Sequence, residues 1–163
     1  MKKLNLGCGA DIRDGWVNVD IQKSRGIDKS FDFNKLPYPL NNSEFDYVYL
    51  SNVLEHLDSP DKVLNELWRI CKNGGIIEII VPHYTNKGAY SDMQHRHFFN
   101  EICFKELVEQ IAVVNKEKKF KILELKLTPT KAGMIFPKKL REKLSLFFNG
   151  IISQIHVKLK VLK

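Results

Sequence analysis

The stretch from Ser59 to Pro82 constrains the fold more than any other. It opens with Ser59-Pro60-Asp61, a helix-start signal, and continues with Val63, Leu64, Leu67, Trp68, Ile70 and Cys71 at helical spacing. Asn73-Gly74-Gly75 reads as the helix stop. Residues 76–81 (IIEIIV) then form the most strand-like run in the chain, closed by Pro82. A buried strand is expected just before the helix, at residues 45–50 (FDYVYL), rich in aromatic and β-branched side chains. Strand, helix and strand in this order make a parallel βαβ unit, and chains built from such units carry helices on both faces of a sheet.

The rest of the chain extends the pattern. Residues 3–6 form a short strand ended by Gly7-Cys8-Gly9, residues 16–21 alternate as a second strand, and residues 27–33 form a weaker third. Residues 35–43, with Pro37, Pro39 and Asn41-Asn42, read as a loop. A helix is expected near residues 101–113, a strand at 120–127, a helix near 138–148 and a last strand near 154–161. The two closing strands fit an antiparallel edge. At 163 residues the chain suits one domain spanning 1–163, an α/β fold with a single doubly wound, mostly parallel sheet.

Three widely spaced cysteines, Cys8, Cys71 and Cys103, without a CxxC pair exclude a disulfide scaffold and a cysteine-rich zinc module, and fit a reducing compartment. No apolar run approaches the ~20 residues of a membrane span, and Met1-Lys2-Lys3 leads into a strand, not a signal peptide. The expected location is the cytoplasm. The net charge of +7 is concentrated: residues 116–163 hold 13 Lys and Arg against 3 acidic residues. Such a segment suits an anionic partner or a solvated surface. Within it, residues 136–150 place Leu140, Leu144, Phe147 and Phe148 on one helical face, able either to cover the sheet or to rest on an anionic membrane near a lipid-linked or glycan acceptor. Nucleic acid is not expected, because the basic residues lack interleaved stacking aromatics.

In open α/β sheets ligands bind at the carboxyl ends of the strands. Four features fall there: Gly7-Cys8-Gly9-Ala10, where missing side chains let backbone approach a ligand; Asp20, a carboxylate able to accept both hydroxyls of a ribose; Asp32-Phe33, an acid beside an aromatic face; and Ser51-Asn52-Val53 followed by Glu55-His56. A nicotinamide-dinucleotide fingerprint is disfavoured, since Ile12 stands at the third glycine position and Asp20 lies only 11 residues past Gly9.

The runs LNLGCGADIRDGWVNVDI, FDFNKLPYPLNNSEFDYVYLSNVLEHL and LWRICKNGGIIEIIVP, in this order, resemble the class I S-adenosylmethionine-dependent methyltransferases, most closely the small type 11 group. The resemblance implies S-adenosylmethionine as cofactor, with Leu6, Gly7, Cys8 and Gly9 around its methionyl part. It implies Asp20 and Ile21 at the ribose, Asp32 and Phe33 at the adenine, and Ser51, Asn52 and His56 lining the pocket. Asn5 stands where the family usually has an acid, and the crossover from Gly9 to Val17 is short.

On the acceptor side, His83 and Tyr84 end the fifth strand, and the cluster Asp92 to Phe99 holds His95, Arg96 and His97. His95 and His97 are candidates to take a proton from an acceptor hydroxyl. Arg96 is a candidate clamp for a carboxylate or phosphate, with His83 and Tyr84 lining the substrate site. His83, His95 and His97 match no standard metal spacing, so no metal is assigned. No Asn-Pro-Pro-Tyr-type amine motif follows the fourth strand, which favours an oxygen or carbon acceptor. The expected activity is methyl transfer to an unidentified acceptor. The alternative is a non-catalytic binding or activator subunit of the same fold.

Overall fold

The computed structural model describes residues 1–163, apart from the side chain at position 142. Seven strands form one sheet: β1 Lys3–Leu6, β2 Val17–Asp20, β3 Lys29–Ser30, β4 Phe45–Ser51, β5 Cys71–Pro82, β6 Lys119–Pro129 and β7 Ile152–Leu162. Four helices punctuate them: α1 Pro60–Ile70, α2 Gly88–Ser91, α3 Glu101–Val114 and α4 Lys138–Leu144. The strand order is β3-β2-β1-β4-β5-β7-β6. The pairs from β3 through β5 are parallel, whereas β7 runs antiparallel to both β5 and β6. This is the mostly parallel sheet with an antiparallel edge that the sequence pattern predicts.

One face of the sheet holds the core. Leu4 and Leu6 of β1, Val48 and Leu50 of β4, Ile77, Ile79 and Val81 of β5, and Ile155, Val157, Leu159 and Val161 of β7 are all fully buried. Val63, Leu64, Leu67 and Ile70 of α1 and Phe104 and Ile111 of α3 pack into the same cluster, and the two helices touch each other. The strand period of two forces this: each buried residue is followed by one facing the other way.

The opposite face is more polar. Tyr47, Tyr49, Ile76, Glu78 and Ile80 share it with His156, Lys158 and Lys160 of β7, all partly exposed. Glu78 is its hub, accepting from the Tyr47 hydroxyl and facing His156, with the Lys158 ammonium 3.9 Å away. Helices on both faces were expected, yet the crossovers at residues 7–16, 21–28 and 31–44 contain none, so the long helices α1 and α3 back one face only.

Three boundaries differ from the sequence reading. The third strand shrinks to two exposed residues because it lies at the sheet edge with β2 as its one neighbour. Asn73-Gly74-Gly75 does not end a helix, since α1 stops at Ile70 and β5 starts at Cys71. The glycines instead sit in a bulge where the register with β4 slips between Phe45 and Tyr47. The helix expected at 138–148 stops at Leu144, leaving Leu146, Phe147 and Phe148 exposed.

The helix-free loop from Gly7 to Trp16 is fastened by polar groups. Buried Asn5 donates through Nδ2 to the Asp11 carbonyl (2.6 Å) and to Asn18 Oδ1 (3.2 Å). Asn18 in turn accepts from the Arg13 amide (3.0 Å) and donates to the Arg13 carbonyl (3.0 Å). The Arg13 guanidinium pairs with Asp11 (2.7 Å) and lies 3.7 Å over the Tyr49 ring. The position the family usually fills with an acid is therefore used here to tie down the loop.

Candidate functional site

Gly7, Asp20, Asp32, Asn52 and Pro82 all stand at or just past the carboxyl ends of parallel strands, on one edge of the sheet. Two clefts open there. The first, about 300 Å³, is lined by Gly7, Asp20, Ile21, Asp32, Phe33, Asn52 and His56 from the expected set, together with Asn34, Val53, Leu57 and Gln94. Gly7 is required at the back of it. Its φ is +75°, and a Cβ there would stand 2.2 Å from a Val53 methyl, so only glycine lets β1 end this close to the turn after β4. Beyond Gly9 a Cβ would meet nothing within 4 Å, so the loop presents bare backbone to open space.

Asp20 is held ready. The Gly9 amide donates to its Oδ2 (2.8 Å) and the Gln22 amide to its Oδ1 (3.1 Å), leaving each oxygen a further lone pair. Asp32 closes an Asx turn by accepting from the Asn34 amide (2.9 Å). The Phe33 ring packs edge-on against Phe31 (5.4 Å between centroids), and the Tyr38 hydroxyl donates to the Phe33 carbonyl (3.1 Å), fixing this corner. Burial pushes the Tyr38 phenol well above its ordinary pKa. Leu6 is in the core, Cys8 is buried with its thiol pKa raised by burial and then by Asp20, and Gly9 and Ser51 flank the cleft without lining it.

The second cleft, about 560 Å³, shares Asn52 and His56 with the first and continues along Pro82, Asn86, Asp92, Met93, His95 and Gln154. His95 lines this second cleft, with Nδ1 2.8 Å from the Ala89 carbonyl. The other acceptor-side candidates line neither cleft. His83 is buried, with Nδ1 2.8 Å from the Thr85 hydroxyl and Nε2 3.6 Å from Glu101, and burial lowers its pKa. Tyr84 lies against His83, 4.8 Å between ring centroids. Arg96 ion-pairs with Asp58. His97 turns inward, and its buried Nε2 has no hydrogen-bond partner among the described residues.

Glu55, which the sequence places beside His56 at the fourth strand end, is assigned no role there. It sits in the 3₁₀ turn Leu54–His56 after β4, is only 1% exposed, and neither carboxylate oxygen has a partner among the described residues. Burial pushes its carboxyl up to about 7, with its own backbone amide and then His95 pulling the other way. Its neighbour His56 has its pKa lowered by burial and then by His95, whose ring meets it edge-on at 4.6 Å. The adjacent Glu-His pair was the visible signal, but nothing in the spacing says that the glutamate points inward.

Residues 6–79 match the family described as methyltransferase domain, type 11. An uncharacterized protein of Methanocaldococcus jannaschii is 30% identical over 116 residues, 68% of this chain and 55% of that protein. The matching stretch thus spans about half the length of that curated relative, 55%. Among solved structures, an S-adenosylmethionine-dependent methyltransferase from Archaeoglobus fulgidus superposes with a TM-score of 0.73 at 17% identity, covering 98% of this chain and 85% of that one. One from Mesorhizobium loti gives 0.67 at 15% identity, covering 98% and 90%. At such identities the likeness is one of fold. Residues 6–79 thus carry a type 11 methyltransferase domain match, and the whole chain shares the fold of these S-adenosylmethionine-dependent methyltransferase structures.

Proposed function

We propose that the protein binds S-adenosylmethionine in the first cleft and transfers its methyl group to an acceptor held in the second. The observation that carries this reading is the shared wall: Asn52 and His56 line both clefts, so a group at the end of one faces a group in the other. The residues present fit the cofactor. Asp20, oriented by two backbone amides, suits a pair of ribose hydroxyls, and Asp32 and Phe33 suit the adenine. Gly7 lines the cleft as backbone alone, and the open space beside Gly9 leaves room for the methionyl part. When bound, the cofactor supplies a methyl group already activated on a sulfonium.

The chain's own task is then to align an acceptor with that methyl and to exclude water, and alignment of this kind is worth up to ~7–11 kcal/mol. Val53 and Leu57 give the first cleft an apolar side, and Asn52, Asp92 and His95 offer polar groups to an acceptor in the second. Of the histidines considered for proton transfer, His95 is the one that lines a cleft. Ser51-Asn52-Val53-Leu54, in place of an amine-methylating motif, supports an oxygen or carbon acceptor.

The basic segment supports an anionic or membrane-presented acceptor. Met134, Ile135, Leu146, Phe147 and Phe148 are exposed beside Lys131, Lys138, Lys139 and Lys143. Apolar side chains among lysines suit the headgroup region of an anionic bilayer. Among the described residues no helix is long and apolar enough to cross a membrane.

Calorimetric titration with S-adenosylmethionine and S-adenosylhomocysteine, with NAD as control, tests the reading. Micromolar binding of both sulfur ligands is expected, weakened about tenfold or more in Asp20→Ala, since hydrogen bonds to a charged group are worth ~1.5–3 kcal/mol. Failure to bind either sulfur ligand would overturn it in favour of a non-catalytic role.

A further inference from the structure

We propose that Glu55, His56 and His95 form a binding site for a divalent transition-metal ion where the two clefts meet. Each residue offers one donor atom, and the three atoms lie within 4.8 Å of one another. Ligand atoms ~2.0–2.1 Å from a tetrahedral ion stand about 3.4 Å apart, so small side-chain rotations bring the set to bonding distance.

Three independent features point to an ion. The first is Glu55, a carboxylate taken out of water with both oxygens unpartnered among the described residues. Buried polar groups are nearly always satisfied, and an uncompensated one is costly. A cation bound between Glu55 and the two histidines would satisfy it. The second is the state of His95. Its Nδ1 lies 2.8 Å from the Ala89 carbonyl, which can only accept, so Nδ1 donates there and Nε2 is the ring atom left to ligate. Metal-ligating histidines are oriented by this kind of outer bond. The third is how the ligand-bearing segments are joined. The amides of Arg96 and His97 donate to the Glu55 carbonyl at 2.8 and 3.2 Å, which ties the loop bearing His95 to the turn bearing Glu55 and His56.

Two imidazoles and a carboxylate favour a transition metal over Mg²⁺ or Ca²⁺, which prefer all-oxygen surroundings. Three protein ligands leave at least one position open. Because His56 and His95 line the second cleft, that position faces the acceptor. On the methyltransferase reading, an acceptor oxygen would complete the sphere and lose its proton more easily there, as metal-bound oxygens do.

The test uses the full chain stripped of metal, titrated with ZnCl₂ by calorimetry and with Co²⁺ by visible absorption, MgCl₂ serving as control. One Zn²⁺ per chain is expected, bound at least tenfold more weakly by His56→Ala and His95→Ala and unchanged in His156→Ala. Intense Co²⁺ bands should disappear in His95→Ala. Circular dichroism checks that each variant folds, and the partly exposed histidines carry the test because Glu55→Gln changes a buried position. No Zn²⁺ binding, or binding that survives both histidine variants, overturns the site. The metal alone is the probe, so a chain that binds Zn²⁺ but no S-adenosylmethionine keeps this site and loses the methyltransferase reading, and the reverse result does the opposite.

Discussion

From β4 to β7 the connections of the sheet are helices packed by apolar side chains, whereas the helix-free loop after β1 is fastened by amides and carboxylates. In the first region Leu64, Leu67 and Phe104 are completely buried against strands whose facing residues are equally buried. In the second, the crossovers have no helix, and Asn5, Asn18, Arg13 and Asp11 do the fastening. Apolar burial stabilises in proportion to area and needs no exact geometry. A buried amide network stabilises only while each member keeps its partners. The ligand-facing loops belong to the second region. Their positions are set by directional bonds that leave the backbone at Gly9 facing open space, which no packed helix face would do.

The contrast predicts a graded set of effects. Phe104→Ala should cost the most, ~3–5 kcal/mol, because it opens a cavity in the shared helix–sheet core. Urea denaturation reads it, and a loss below about 1 kcal/mol would mean that α3 contributes little to the core. Asn5→Ala should follow at ~1–3 kcal/mol, since Asn18 Oδ1 and the Asp11 carbonyl each lose a buried donor. If it equals Phe104→Ala, the two regions do not differ in kind. Arg13→Ala should cost least, ~0.5–1 kcal/mol, from a partly exposed ion pair and the stack on Tyr49.

Thiol labelling of the native protein sharpens the same contrast without mutation. Cys71, fully buried in the helix-backed region with its thiol pushed up to about 11 by burial, should react only through global opening. Cys8 sits in the polar-fastened loop and should react through local opening, at lower denaturant than Cys71. Equal rates for the two would show that the loop opens only when the whole sheet does.

What the sequence made legible follows the same division. Period-3.6 and period-2 patterns reveal α1, α3, β4, β5 and β7, because apolar burial writes its geometry into spacing. The strand-end residues Gly7, Asp20, Asp32, Phe33 and Asn52 were also visible, since a parallel sheet brings its carboxyl ends together whatever the loops do. The bulge at Asn73-Gly74-Gly75 was not, because glycines mark a turn and a bulge alike. Nor was the inward turn of His83 and His97, or the burial of Glu55, because loop side chains obey no period and their direction depends on partners far along the chain.

The place of β7 between β5 and β6 has a consequence for the chain as it is made. β5 ends at Pro82 and its antiparallel partner begins at Ile152, 70 residues later. At the ~5–20 residues per second of synthesis, the IIEIIV edge waits roughly 4–14 seconds on the ribosome with an unpaired row of amides and carbonyls. Low charge, β-branched side chains and an open edge are what intermolecular strand pairing seeks. Slowed translation or loss of a holdase chaperone should therefore send newly made chains into aggregates more readily than finished ones.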